Sequence, residues 1–333
     1  MSTTLLSSAI ALALAATLPD VKTLQQMNSR FAPVDLTADV SKLPPNERQA
    51  LAKMIEAAEL MDSLFLRQVW AGNEAMMLEL ISDTSELGRA RLEAFLINKG
   101  PWSRLDHNAI FVPNAPPKPP QGSFYTADSK EQVEKWVKGL KGAQKTAATG
   151  FFFTIRKDPK GKFIAVPYSV EYQAELNLAA QCLREAAALT KQPTLKKFLE
   201  TRADSFLSND YYPSDVAWME LDASIEPTIG PYEVYEDEWF NQKAAFEAFI
   251  TLRDDAETAK LQKFSSELQG IENTLPIDPK DRNPQLGALA PIRVVNSIYS
   301  SGDANRGVQT AAFNLPNDER IAKEKGTKRV MLK

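Results

Sequence analysis

The chain has 333 residues, which at roughly 150 residues per domain allows about two domains. Hydrophobic residues make up 44% and charged residues 25%, and these ordinary values exclude a disordered or collagen-like chain. Lys and Arg total 39 against 43 Asp and Glu, so the net charge of −4 argues against nucleic acid as a partner. One Cys and one His exclude an intramolecular disulfide and any His- or Cys-rich zinc site built by this chain alone.

The N-terminus carries an Ala- and Leu-rich apolar run from Leu5 to Leu18. The run has the length of a signal-peptide core and is too short for a bilayer-spanning helix of about 20 residues, so no membrane span is expected. Small residues before Pro19 offer a cleavage site, which makes residues 1–18 a candidate signal peptide. The alternative is an N-terminal helix packed on the fold. The protein is therefore expected to be periplasmic or secreted if these residues are cleaved, and otherwise cytoplasmic.

Residues 19–150 are predicted to be mainly helical. The Pro-rich segment 111–122 is predicted to be a loop, because proline lacks a backbone donor and restricts the residue before it. Ser129 followed by Gln132 predicts a capping box at the start of a short helix. From Asn46 to Trp70, apolar residues recur at helical spacing and predict a long amphipathic helix. Its apolar face consists of Leu51, Met54, Ile55, Ala58, Met61 and Phe65.

Residues 151–333 mix strand and helix patterns, so the fold class is predicted to be α+β. Two strands within 151–166 flank Asp158-Pro159-Lys160-Gly161, whose residue types favour a type I turn and predict a hairpin. Residues 244–253 alternate apolar and polar side chains, which predicts a half-buried strand. A further apolar segment, 308–315, predicts another strand. The last four residues, 330–333, are typical of the interior of a helix or strand. The chain is therefore expected to end inside a folded region.

The densest group of candidate functional residues lies at 230–240. In an extended segment side chains alternate, so Glu233 and Tyr235 are expected to share one surface. A carboxylate and a phenol placed together could hold an ammonium group and donate a hydrogen bond to a carbonyl, as binding of a peptide's N-terminal end requires. The alternative is a solvated acidic loop with Tyr and Trp packed beneath it.

A second polar loop, 314–320, follows a predicted strand. Its Asn314 and Asn317 could hydrogen-bond a substrate backbone, or cap the turn and the helix after it. The single histidine, His107, follows Asp106 and could be oriented as a general base, but a hydrogen-bonded structural role is the simpler interpretation. Motifs for a nucleophile elbow, a P-loop and a dinucleotide fold are absent from the sequence, which therefore indicates no cofactor site.

These two loops resemble the dipeptidyl peptidase III family of zinc metallopeptidases, and its bacterial members most closely. The matching segments are Gly-Pro-Tyr-Glu-Val-Tyr-Glu-Asp at 230–237, Lys-Ala-Ala-Phe-Glu-Ala-Phe at 243–249, Asn-Leu-Pro-Asn-Asp-Glu-Arg at 314–320, Asp-Tyr-Tyr-Pro-Ser-Asp-Val-Ala-Trp-Met at 210–219, Gly-Pro-Trp at 100–102 and the loop 118–125. The resemblance covers the chain from about residue 35 to its end. It implies part of a two-lobed peptidase, mainly helical with a small β-barrel-like sheet, whose peptide cleft lies between the lobes.

The resemblance also implies roles for four residues. Glu233 would anchor the free amine of a peptide, Tyr235 would be catalytic by stabilising the oxyanion, and Asn314 and Asn317 would hold the peptide backbone. The family's zinc helix lies beyond the asparagine loop, and this chain has no histidine after His107. The chain is therefore expected to lack the metal site and to be inactive alone, with zinc belonging to the full-length parent and its C-terminal lobe.

The sequence thus predicts the peptide-binding, N-terminal portion of a dipeptidyl peptidase III-like zinc metallopeptidase. The alternative is a non-catalytic peptide-binding protein, complete at this length, that lacks the metal site. A third interpretation, a glycosidase with a carboxylate pair of Glu233 and either Glu236 or Asp237, has no sugar-binding context in the sequence.

Overall fold

The computed structural model describes residues 18–36, 38–284 and 292–333, so the candidate signal peptide lies, except for Leu18, outside the described residues. The helices are α1 (Val21–Asn28), α2 (Pro45–Val69), α3 (Asn73–Ser82), α4 (Glu86–Asn98), α5 (Lys130–Lys138), α6 (Gly142–Thr149), α7 (Tyr168–Glu171), α8 (Gln173–Leu189), α9 (Pro193–Ser208), α10 (Tyr212–Met219), α11 (Asp255–Thr274) and α12 (Glu319–Lys325). The strands are β1 (Trp102–Ser103), β2 (Ala109–Ile110), β3 (Phe153–Lys157), β4 (Phe163–Pro167), β5 (Ile225–Glu233), β6 (Ala245–Arg253), β7 (Ile292–Gly302), β8 (Ala312–Leu315) and β9 (Lys328–Leu332). The fold is α+β and mainly helical, as predicted.

The long helix α2 forms the centre of the helical part. It begins at Pro45, since proline fits the first turn of a helix, where its missing N–H has no partner in any case. All but one of the predicted apolar positions are buried, and Ile55 is half-buried. This face packs against α8 and β6, so the helix joins the helical layer to the sheet in one core.

The main sheet has five strands in the order β5-β6-β7-β9-β8, and only β7 and β9 run parallel. The sheet curls strongly, because side chains from its distant strands meet. Phe313 of β8 stacks on Phe249 of β6 with ring centroids 4.7 Å apart. Just after β8, the Asn317 amide donates to the Tyr232 carbonyl of β5 at 2.9 Å. The first and last strands therefore approach each other, and the sheet is a partly closed barrel.

A buried ion pair crosses the inside of this curled sheet. Lys328 of β9 and Glu226 of β5 are both almost completely buried, and the ammonium group donates to the carboxylate and to the Trp218 carbonyl. The ammonium also lies 3.9 Å from the centre of the Trp218 ring. Because the two charged residues belong to non-neighbouring strands, their contact keeps these strands close together and so maintains the curled shape of the sheet.

The β3–β4 hairpin is confirmed, including its turn, in which the Gly161 N–H donates to the Asp158 carbonyl at 2.8 Å. Two local predictions are wrong. Ser129 precedes α5 as its N-cap residue but its side chain makes no capping hydrogen bond, and Gln132 contacts Asp128 instead. The strand predicted at 308–315 begins only at Ala312, because the preceding residues form the loop that follows β7.

Candidate functional site

A cavity of about 650 Å³ lies where the ends of several strands meet. The ends of β5 and β8, the middle of β6 and the loop after β7 supply most of its wall, and Phe31, just after α1, completes it. All four residues singled out in the sequence line this cavity, namely Glu233, Tyr235, Asn314 and Asn317. Residues that are far apart in the chain thus share one space, because the sheet is curled.

Glu233 is the last residue of β5, next to an irregularity in the strand pairing. Beyond it the chain does not continue as a strand, because the Asp237 N–H donates to the Val234 carbonyl at 3.1 Å and closes a turn. The strand alternation expected for Glu233 and Tyr235 therefore ends at Glu233. Glu233 and Tyr235 still both reach the cavity, with Glu233 half-buried and Tyr235 64% exposed.

The alternative of a solvated acidic loop is wrong for two of its residues. Glu236 and Asp237 are fully buried. Asp237 accepts a hydrogen bond from the Tyr125 hydroxyl at 2.8 Å and from backbone N–H groups of Gln242 at 2.9 Å and Lys243 at 3.2 Å. These contacts hold the loop around Asp237 in place and attach it to Tyr125. Neither acid lines the cavity, so the pair required by the glycosidase interpretation is not formed there.

Glu236 lies at the centre of a group of cations. Arg104 donates to its carboxylate at 2.6 Å, Arg306 donates at 2.9 Å, and the Lys118 ammonium lies 3.2 Å away. Burial opposes ionisation of Glu236, but the three cations outweigh it and lower the pKa to about 2. Arg104 and Arg306 also line the cavity, so Glu236 fixes part of its wall from behind.

Two further acids in the cavity were missed by the sequence analysis. Glu247 lies on β6 and Asp303 directly after β7, and both are buried. Asp303 pairs with Arg306, yet burial raises the pKa of Asp303 to about 6. Burial and the neighbouring carboxyls Asp303 and Glu233 also raise the pKa of Glu247. Glu233 has a raised pKa through burial, which Arg306 partly offsets.

The two asparagines differ in their surroundings. Asn314 belongs to β8, which is the last strand of the sheet within the described part of the chain, and its side chain is exposed. Asn317 already donates to the Tyr232 carbonyl, as described above. Among the described strands, β8 therefore has a neighbour on one side only, while Asn317 joins the two walls of the cavity.

His107 is exposed and has a positive φ of 52°, and it does not line the cavity. Asp106, the expected partner of His107, instead accepts from Arg30 and from the Ser103 hydroxyl. This favours the structural interpretation of the 102–107 segment. Across the described ranges, no three His, Cys, Asp or Glu side chains are placed to hold a metal ion, and no helix is long and apolar enough to cross a membrane.

Residues 141–333 match the sequence pattern of peptidase family M49, which covers more than half of the chain. The chain therefore belongs to peptidase family M49. Its structure is similar to that of dipeptidyl-peptidase III from Corallococcus sp. strain EGB, with 69% identity and a TM-score of 0.88 over 95% of this chain and 59% of that chain. The structure of DPP III from Caldithrix abyssi is also similar, with 45% identity and a TM-score of 0.88 over 92% of this chain and 59% of that chain.

A third relative is a plant protein, Nudix hydrolase 3 of Arabidopsis thaliana, which is 39% identical over 93% of this chain. The chain spans 46% of that protein, and 59% of each of the two peptidase structures. The predicted resemblance to bacterial dipeptidyl peptidase III is confirmed, and so is the predicted fold as part of this two-lobed architecture.

Proposed function

We propose that this chain supplies the peptide-anchoring half of the cleft of a dipeptidyl peptidase III-like zinc peptidase. The observation that carries the proposal is that Glu233, Tyr235, Asn314 and Asn317 line a single cavity. Family membership gives the class of reaction, hydrolysis of a peptide bond near the N-terminus, and the cavity supplies groups suited to the substrate of that reaction.

Each residue has a part for which its chemistry is suited. Glu233 offers a shielded carboxylate to the peptide's ammonium group, and such charge-assisted hydrogen bonds are the strong ones. Tyr235 is exposed at the cavity rim, where its phenol can donate to the carbonyl oxygen as negative charge develops on it. Asn314 offers an amide to the backbone of a peptide lying along the open edge of β8.

The zinc implied by the family does not fit the residues described here, because none of them form a group of three metal-binding side chains. No step of the proposal is therefore assigned to a metal. Zinc, the water that it activates and the C-terminal lobe belong to a longer parent in this proposal. The alternative, a peptide-binding protein without catalysis, shares the same cavity and differs only in the absence of hydrolysis by the whole protein.

The plant relative carries the name of a different hydrolase. The chain spans only 46% of that protein, whereas it spans 59% of each peptidase structure and matches the peptidase family pattern directly. These proportions favour a peptidase role for this segment.

The proposal is tested by measuring the affinity of the chain for a short peptide with a free amine and for its N-acetylated form. Glu233→Gln keeps the shape of the side chain and removes its charge. Affinity for the free-amine peptide should fall roughly 10- to 100-fold, as expected for loss of about 1.5–3 kcal/mol, while affinity for the acetylated peptide should change little.

Glu200→Gln is the matched control, because Glu200 is exposed on α9 and does not line the cavity. Circular dichroism checks that the variants are folded. Equal binding of both peptides, together with unchanged affinity in folded Glu233→Gln, would contradict the proposal.

A further inference from the structure

Glu247 is a buried acid without a partner. Its side chain is only 4% exposed, it lines the cavity, and it makes no hydrogen bond or ion pair with any described residue. Buried carboxyl groups are normally hydrogen-bonded or paired, because a polar group that loses water without gaining a partner is destabilised. An unpartnered carboxyl facing a cavity therefore points to a ligand group that completes it.

The strand register explains why the Glu247 carboxyl has no side-chain partner directly across from it on the neighbouring strands. Its cross-strand neighbours are Gly230 on β5 and Gly302 on β7. Neither glycine has a side chain that could cover the carboxyl or bond to it. Glu233 pairs with Ala245, two residues before Glu247 on β6, and diagonal neighbours on one face of a sheet are within reach of long side chains. The register thus brings the two glutamates to the same part of the cavity.

No cation of the described residues forms an ion pair with Glu247, although the charge of Arg306 acts on it from beyond contact distance. On the β5 side are Glu233 and the buried Tyr232, and after β7 are Asp303 and Arg306. Arg306 is engaged by Asp303 through Nε and by Glu236 through Nη1. Arg104, the other cation in the lining, is bonded to Glu236.

Of the two buried acids Glu247 and Asp303, Glu247 has the surroundings that favour the neutral form more. Asp303 has a direct contact with Arg306 that favours its charged form. Glu247 has burial and two neighbouring carboxyls that favour its neutral form, and Arg306 opposes them without direct contact. Glu247 is the group with most to gain from the arrival of a cation.

We propose that Glu233 and Glu247 form one amine-binding carboxyl pair, in which Glu247 carries a proton in the free protein and releases it when a peptide's ammonium group binds. The inference rests on the proposed function and adds a second ligand for the amine. An ammonium group has three donors and can serve both carboxylates. The amine enters charged, the O–H bond of Glu247 breaks, and the proton leaves to solvent through the open cavity.

Proton release makes affinity depend on pH with a defined sign. Affinity for a free-amine peptide rises with pH as the pair loses its proton, because less work is then needed to ionise Glu247. It falls again when the peptide's own amine loses its charge, at a pKa of about 7.7–8.0. An N-acetylated peptide should show neither change.

Isothermal titration calorimetry of the chain with a free-amine peptide, in two buffers of different ionisation enthalpy, measures the linked protons directly. At about pH 6, between the ordinary pKa values of a carboxyl and an amine, the wild type should release a substantial fraction of one proton per bound peptide. Glu247→Gln should remove this release and flatten the rise of affinity with pH. Glutamine resembles protonated glutamate in shape and charge, so this variant should fold.

The outcomes separate the inference from the proposed function. A binding enthalpy independent of buffer, with affinity that still depends on Glu233, would overturn the inference alone. Release that persists in Glu247→Gln but is lost in Asp303→Asn would place the proton on Asp303 and also overturn it. No binding of free-amine peptides by the folded wild type would overturn the proposed function and the inference with it.

Discussion

The protein buries charges in two different ways. Away from the cavity, two buried acids are each paired with a single cation. Lys328 pairs with Glu226 inside the sheet, and Arg202 of α9 pairs with Asp215 of α10 at 2.5 Å. Each pair is almost completely buried, so each member depends on the other to offset its loss of hydration.

The cavity buries more acids than cations. Within the described residues, three carboxyls line the cavity, at Glu233, Glu247 and Asp303, against two cations, at Arg104 and Arg306. Behind this wall lie one more carboxyl, Glu236, and a third cation, Lys118. Glu236 alone engages all three cations. The comparison teaches that a matched buried pair satisfies its own charges, whereas an excess of carboxyls leaves negative charge that the proposed ammonium ligand would offset.

The largest expected effect is on a matched pair. Lys328→Met removes one member and leaves the Glu226 carboxylate buried without its cation, which should lower the free energy of unfolding by about 3–5 kcal/mol. Denaturant unfolding followed by circular dichroism measures this. Lys197→Met is the control, because the contact of Lys197 with Glu220 is exposed and should contribute little.

Adding Glu226→Gln to Lys328→Met should recover part of the loss, because it removes the uncompensated charge. A Lys328→Met protein as stable as the wild type would show that this pair does not hold the curled sheet.

A smaller loss of stability is expected from a change at Glu236, which contacts three cations behind the cavity wall. Glu236→Gln keeps the shape but removes the charge shared by three cations, which should lower the free energy of unfolding by about 1.5–3 kcal/mol at neutral pH. The folded pKa of Glu236, about 2, lies below its ordinary value of 4.5. The stabilisation by Glu236 is therefore fully present above pH 4.5 and lost as the pH falls towards 2.

Unfolding measured at several pH values should show the wild type and Glu236→Gln converging in acid. Glu238→Gln is the matched control, because Glu238 is exposed and contacts only Lys118 of these cations. A difference between wild type and Glu236→Gln that does not change with pH would contradict the pKa argument.

The smallest expected effect on binding is at the rim of the cavity. Tyr235 is exposed, and if its phenol serves the oxyanion, Tyr235→Phe should change peptide affinity by less than about twofold and leave stability unchanged. In a longer parent that hydrolyses peptides, the same change should lower turnover by about 10²- to 10³-fold. Tyr212→Phe, at a half-buried tyrosine that does not line the cavity, is the control. An affinity loss as large as that of Glu233→Gln would assign Tyr235 to ground-state binding instead.

Local patterns predicted the elements but only part of the site. The α2 helix and the β3–β4 hairpin follow from periodicity and turn residues, which act between near neighbours in the chain. Glu236 could not be assigned from its own segment, because its partners Arg104 and Arg306 lie 132 and 70 residues away. Glu236 lies in the turn that follows β5, and side-chain alternation along a strand does not predict that turn.

Glu247 was visible in the sequence only as a polar residue of an alternating strand. Alternation places such a residue on the solvated face of a sheet, and here that expectation fails because the sheet curls over a cavity. Alternation made Glu233 and Tyr235 candidates and the polar loop added the two asparagines, whereas their expected roles came from the similarity to dipeptidyl peptidase III.

The hydrogen bond from Asn317 to the Tyr232 carbonyl bears on the length of the ligand that would fit the cavity. Tyr232 immediately precedes Glu233, and Asn317 follows Asn314 by three residues, so the bond limits the spacing between the proposed amine anchor and the proposed backbone-binding amide. In the proposed complex, the distance between these two groups is set before the ligand binds. A peptide that matches this distance, measured from its free amine, needs less ordering of the protein on binding.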